Sequence, residues 1–144
     1  MRKIGLELRS LMNMIVRYTH KLSAEEEMSM QQAAIIKYLV NNSNRDINSK
    51  DLEEVFSMRR STCSRMLKLM ENRNLVERLD DPSDSRKKII KPTKKSNDII
   101  SSIENKFDEM DDVISKNISE EDLNTFFSVL DQIKININDK KEEE

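Results

Sequence analysis

One glycine, Gly5, stands in a chain of 144 residues, and that count constrains the fold more than any other. Phosphate-cradling loops of the form GxGxxG or GxxxxGK[ST] need several glycines, where backbone approaches a ligand or takes positive φ. A GxSxG nucleophile elbow needs two. None of these can be built here. There are also only two prolines, so tight turns are few and long helices with short polar connections are the natural reading. One cysteine and one histidine, Cys63 and His20, exclude an intrachain disulfide, a multi-thiolate zinc site and a histidine cluster. No nucleophile–base set stands out, so an enzyme is disfavoured and no cofactor or metal is expected. No apolar run reaches the roughly 18–20 residues of a membrane span. Residues Met1 to Arg9 lack the apolar core of a secretion signal, so a cytoplasmic protein that avoids the membrane is expected.

Apolar spacing divides the chain into six helices and one hairpin. Ile4, Leu8, Leu11, Met12, Ile15, Val16 and Leu22 mark a first helix over 4–22, followed by a polar break at Ser23 to Glu27. Ser29 and Gln32 form a capping box ahead of Ala33, Ile36, Tyr38, Leu39 and Val40, and Asn41 to Asn44 supply turn chemistry. Ile47 is a lone apolar residue. Asn48 caps a short helix with Leu52, Val55 and Phe56. A further helix runs from about Arg60 to Arg73 with Cys63, Met66, Leu67 and Met70 inward, and ends at Asn74, a residue that tolerates left-handed backbone. Leu75 to Leu79 and Arg86 to Lys91 then read as two strands around the tip Asp80 to Ser85. Ile99, Ile100, Ile103, Phe107, Met110 and Ile114 continue in a long helix. Ser119 to Asp122 open the last one, which carries Leu123, Phe126, Phe127, Leu130 and Ile133 and ends in a frayed tail from Asp139 to Glu144. The fold class expected is mainly α with a small β-hairpin wing: a winged helix-turn-helix arrangement in one domain over 1–144.

The formal net charge of −2 hides the distribution. Residues 59–95 hold twelve Lys/Arg against five acids, a net of +7, while residues 1–58 balance to zero and residues 96–144 carry −9. A +7 segment within an acidic chain is an electrostatic footprint for phosphate. With Cys63, Leu67 and Met70 inward, Arg60, Ser61, Thr62, Ser64, Arg65 and Lys68 are left for other faces of the helix. Arg can bond guanine O6/N7 bidentately, and Ser or Thr can reach bases or phosphates. Arg59 at the helix start and Arg86, Lys87 and Lys88 on the hairpin extend the same candidate DNA-binding set. The rival reading of the charge is a solvated basic surface.

The stretch Leu52 to Arg65, with its Ser61-Thr62 and Ser64-Arg65 pairs, resembles the helix-turn-recognition-helix segment of the MarR/SlyA family of transcription regulators. Arg73-Asn74-Leu75-Val76 is similar to that family's K-G-L-V exit, with Asn74 replacing glycine. Asp81-Pro82-Ser83-Asp84-Ser85-Arg86 resembles its wing signature D-x-R-D-x-R, with Ser83 in place of the first Arg. Met28 to Gln32 is similar to its L-T-x-x-Q start. The resemblance implies a homodimer held by the N- and C-terminal helices (about 4–22 and 96–138) and a DNA-binding lobe over about 29–95. It implies a palindromic double-stranded DNA operator, with the 60–73 helix in the major groove and Arg86 in the minor groove. Asp84 would brace the wing by pairing with an arginine. The resemblance also implies a repressor relieved by a small-molecule effector whose site the residues leave unknown. Two departures carry expectations: Arg59 replaces a capping serine, weakening the helix start, and Pro92 ends the second strand early. Cys63 is read as a small core hydrophobe rather than a redox switch, and His20 as a surface or dimer-face residue rather than part of a ligand pocket. A helical adaptor or antirepressor that keeps the winged fold without reading DNA is the alternative function.

Overall fold

A computed structural model describes residues 1–23 and 28–142, with the side chains of residues 21–23 left aside; the expected break at Ala24 to Glu27 lies outside the described residues. The elements follow in the order α1 (Ile4–Ser23), α2 (Met30–Asn41), α3 (Ser49–Val55), α4 (Arg60–Asn72), β1 (Val76–Asp81), β2 (Asp84–Pro92), α5 (Lys94–Ile114) and α6 (Glu120–Glu142). Two compact units result, Met1–Phe107 and Asp108–Glu144.

The helix starts are set by side chains that satisfy backbone donors left open in the first turn. Ser29 Oγ accepts from Gln32 N–H at 3.1 Å, and Gln32 Oε1 accepts from Ser29 N–H at 3.3 Å. Asn48 and Asp51 repeat the same reciprocal pair at α3, each bond 3.0 Å long. Arg59 caps α4 without any side-chain hydrogen bond, as the replacement of a capping serine leads one to expect.

The first unit is organised around α2, α3, α4, the hairpin and the start of α5. Ile35, Ile36 and Leu39 from α2, Leu52 from α3, and Cys63, Leu67 and Met70 from α4 are buried together with Leu75, Val76, Ile90 and Ile103. Val55 is exposed: α3 is only seven residues long and commits a single side chain, Leu52, to the interior. Met58 and Met66 pack at the edge of the core, half-buried.

The hairpin is antiparallel, pairing Val76 with Pro92 through to Asp80 with Lys88, with an irregularity at Asp80/Asp81 before the tip. The expectation that Pro92 shortens the second strand is corrected: β2 is nine residues long and runs into Pro92. Proline is tolerated there because it closes the strand, where a missing N–H costs no ladder bond. A third partner joins the sheet. Ile90 N–H donates to Ile47 O at 2.7 Å, and Asn48 bridges Ile89. Ile47, isolated in the sequence, is thus a buried anchor that ties the α2–α3 connection to the wing.

The α4–β1 exit turns on a left-handed residue, Asn74 (φ 59°). Its carbonyl accepts from Thr93 Oγ1 at 2.6 Å, while Ser96 Oγ donates to the carbonyl of Leu75. Two hydroxyls at the head of α5 therefore hold the turn that follows α4. Only backbone atoms of Asn74 take part, so its side chain matters through φ alone. Asn74→Ala should destabilise by about 1 kcal/mol, and Asn74→Gly should be neutral or stabilising, in urea unfolding. Equal stability of the two variants would contradict this.

In the second unit Asn117 (φ 62°) turns the chain between α5 and α6. Ser119 Oγ accepts from Asp122 N–H at 3.1 Å to cap α6. Acidic Glu120, Glu121 and Asp122 lie in its first turn and Lys140 and Lys141 in its last, both favourable to the helix dipole. The frayed tail expected from Asp139 is corrected accordingly, since α6 continues to Glu142. Residues 143–144 lie outside the described residues.

Candidate nucleic-acid interface

The short helix α3, the turn at Phe56 to Arg59 and the helix α4 form a helix-turn-helix. The turn depends on Ser57, a third non-glycine residue at positive φ (51°). The carbonyls of Glu53 and Glu54 accept from the N–H groups of Met58 and Ser57, closing the turn. Helical periodicity then fixes what α4 presents. Cys63, Leu67 and Met70 face the core, so Ser61, Arg65 and Lys68 lie on the opposite side, and all three are exposed. Thr62 is half-buried, while Arg59 and Arg60 are exposed at the helix start.

Ser64 lies on the flank of α4 that faces the hairpin. Between that flank, α3 and the two strands lies a cleft of about 240 Å³. Its lining holds six cations, Lys50, Arg60, Arg78, Arg86, Lys87 and Lys88, against one acid, Glu53. The expected residues therefore fall into two groups. Arg60, Ser64, Arg86, Lys87 and Lys88 meet at the cleft, whereas Ser61, Arg65 and Lys68 form the outward stripe of α4. Two cations of the cleft were not singled out from sequence. Lys50 lies on α3, outside the basic segment. Arg78 was counted in the charge but had no motif to mark it.

At the wing tip, Asp81 Oδ1 accepts from both the N–H (2.9 Å) and the hydroxyl (2.7 Å) of Ser83. These bonds, the hydroxyl's first, hold the Asp81 carboxyl below the usual carboxylate range. Asp84 Oδ1 accepts from Arg86 N–H at 3.0 Å and lies 3.3 Å from Arg86 Nε. The arginine that Asp84 engages is thus Arg86 itself. The Arg86 side chain remains 89% exposed, projecting from the wing with one edge of its guanidinium held. Lys88 pairs with Asp80 across the strands.

Cys63 is fully buried, its Sγ 3.7 Å from the carbonyl of Ser49. Burial, reinforced by the Glu53 charge, pushes its thiol pKa up, which disfavours the thiolate needed for redox chemistry. His20 is exposed on α1. Among the described residues no cluster of three or more His, Cys, Asp or Glu could hold a metal, and no helix is long and apolar enough to cross a membrane.

A helix-turn-helix followed by a basic antiparallel hairpin defines the class: this is a winged helix-turn-helix protein. Residues 27–87, which hold the helix-turn-helix, β1 and the first residues of β2, match the MarR family model. The structure superposes on the MarR transcription regulator of Oenococcus oeni PSU-1 with TM-score 0.77 and 27% identity, covering 91% of this chain and 98% of that one. It is also similar to MepR of S. aureus in a DNA complex (TM-score 0.87, 18% identity, 94% and 99% covered). A putative MarR family regulator from Listeria monocytogenes complexed with 26mer DNA is comparably similar (TM-score 0.85, 20% identity, 97% and 92% covered). No curated protein sequence matches the chain. The helix-turn-helix and wing segment is thus similar to that of the MarR family, and the fold is shared with transcription regulators of that family.

Proposed function

We propose that this chain works as a homodimeric repressor in the cytoplasm, binding a palindromic operator and released from it by a small-molecule effector. The observation that carries the DNA reading is where the basic segment folds: its charge lies on α4 and the hairpin, with six cations around one cleft. In this reading Arg65, with Ser61 and Lys68, enters the major groove. Arg59, Arg60, Thr62 and Ser64 support it on bases and phosphates, and Lys87 and Lys88 contact the backbone. Arg86 reaches the minor groove, whose narrow form concentrates negative potential, and Asp84 limits how that guanidinium swings. Two neighbours of similar fold were captured with DNA.

The dimer is supported by apolar side chains that nothing in either unit covers. Leu11, Met12 and Val16 on α1 and Phe126, Phe127 and Ile137 on α6 are each more than two-fifths exposed. Two-fold symmetry of the dimer then demands two-fold symmetry of the operator. Release by an effector needs only that the effector bind better to a dimer whose recognition helices have the wrong spacing for DNA.

The test is binding to duplex DNA from upstream of the protein's own gene, followed against salt. With 6–10 phosphate contacts, affinity should fall by about 10³–10⁵ between 50 and 200 mM salt. Binding that ignores salt, or no binding at all, would contradict the reading.

A further inference from the structure

Arg78, on β1, reaches across to α4. Its Nη2 donates to the carbonyl of Ser64 at 3.3 Å, and its Nε lies 3.1 Å from Glu71 Oε2. Ser64 and Glu71 are two helical turns apart on one flank of α4, so a single guanidinium spans the middle of the helix. The Arg78 Nε atom is shielded from solvent and has no aligned hydrogen-bond partner. Among the described residues, the Glu71 carboxylate is the one acid paired with it. The side chain as a whole is 30% exposed, against 89% for Arg86. Arg78 is thus a cation of the basic cleft turned inward, toward the helix.

We propose that Arg78 and Glu71 form a clamp that fixes the angle between the recognition helix and the wing, making both of them positioning residues for sequence-specific DNA binding. The inference rests on the DNA reading above and deepens it. Core packing through Cys63, Leu67 and Met70 holds α4 against the lobe along one face only. Packed apolar contacts resist separation, yet they leave the helix free to rotate by the small amounts that matter for base contacts, where misplacement of about an ångström is costly. A planar guanidinium on a paired strand, bonded to the helix backbone through Nη2 and lying against Glu71 through Nε, sets that orientation in a way a lysine cannot.

The clamp predicts an effect of unusual sign at Glu71. If Glu71 were only a negative charge beside a DNA-facing surface, Glu71→Gln would tighten binding to every duplex. As half of the clamp, its loss leaves the shielded Arg78 Nε without its carboxylate and loosens α4. Glu71→Gln should therefore weaken binding to the selected operator by about tenfold, while binding to random duplex stays equal or tightens slightly. Arg78→Met should weaken operator binding at least as much without changing the salt slope, because Arg78 contacts the helix and no phosphate. Arg78→Lys should restore charge but not the specific-to-random ratio.

The measurement is operator and random-duplex affinity of the full-length protein at several salt concentrations, with thermal unfolding alongside. Simple destabilisation lowers both affinities together, so the ratio separates positioning from folding; if Arg78→Met does not fold, Glu71→Gln and Arg78→Lys decide. Tighter or unchanged operator binding by Glu71→Gln overturns the clamp. So does a salt slope that falls by about one in Arg78→Met, which would make Arg78 a phosphate contact. Failure of the wild type to bind any duplex would overturn the DNA reading itself and the clamp with it, an outcome distinct from a wild type that binds and variants that do not weaken.

Discussion

Phe127→Glu is expected to turn the proposed dimer into monomers and to lower operator affinity by two or more orders of magnitude. Phe127 is 56% exposed and Phe126 43% exposed, their rings 5.9 Å apart on α6. Val129, Ile135 and Ile137 add further exposed apolar surface to the same helix. Singly exposed apolar residues are ordinary, but a concentration of this kind marks an interaction surface. An aromatic side chain buries about 150–250 Å² when covered. A carboxylate forced into the same place must be desolvated without a partner, at a cost of several kcal/mol. The DNA consequence follows from linkage: two recognition units held in one particle gain about 10²–10⁴ in affinity over one unit. Phe127→Ala should weaken the dimer less, because it removes area without adding charge. Light scattering or sedimentation reads the mass, and a Phe127→Glu variant that remains dimeric would place the interface elsewhere.

Arg65→Ala is expected to cost about ten- to hundredfold in operator affinity and to relax sequence preference at one base pair in each half-site. Arg65 is exposed on the side of α4 opposite Cys63, Leu67 and Met70, and among the described residues its guanidinium makes no hydrogen bond or ion pair. A bidentate arginine–guanine contact is worth about 1–3 kcal/mol of discrimination. Lys87→Ala makes the contrasting case. A lysine on the wing that meets phosphate should weaken all duplexes alike and lower the salt slope by about one, with preference unchanged. Affinity measured on the operator and on single-base variants distinguishes the two patterns. Uniform loss across variants for Arg65→Ala would remove it from base reading.

Much of the fold is legible in the sequence where local chemistry repeats or has no substitute. The Ser29–Gln32 capping box starts α2, the Asn48 cap starts α3, and Asn74 turns the chain because a glycine-poor protein needs another residue to take positive φ. Cys63, Leu67 and Met70 recur at helical spacing and are buried. What escaped was non-local or too short to have a period. Ile47 pairs with Ile90 across 43 positions, and a single bridging residue leaves no alternation to detect. Ile35 is buried because α2 is covered on more than one side, a property of its neighbours. Charge counting placed the basic segment correctly but treated Arg78 as one of many. Only the fold reveals that it turns toward Glu71 while Arg86 turns toward solvent. The helical run to Glu142 was hidden because a charged sequence reads as a tail unless its Lys140 and Lys141 are seen at the end of a helix.

Selection of bound duplexes from a random DNA pool by the purified full-length protein, with the salt dependence of the winners measured afterwards, tests the central claim most directly. The account predicts enrichment of two inverted half-sites about one helical turn apart, bound with an affinity that falls steeply as salt rises. A pool that yields no inverted repeat, or binding that salt leaves unchanged, would contradict it.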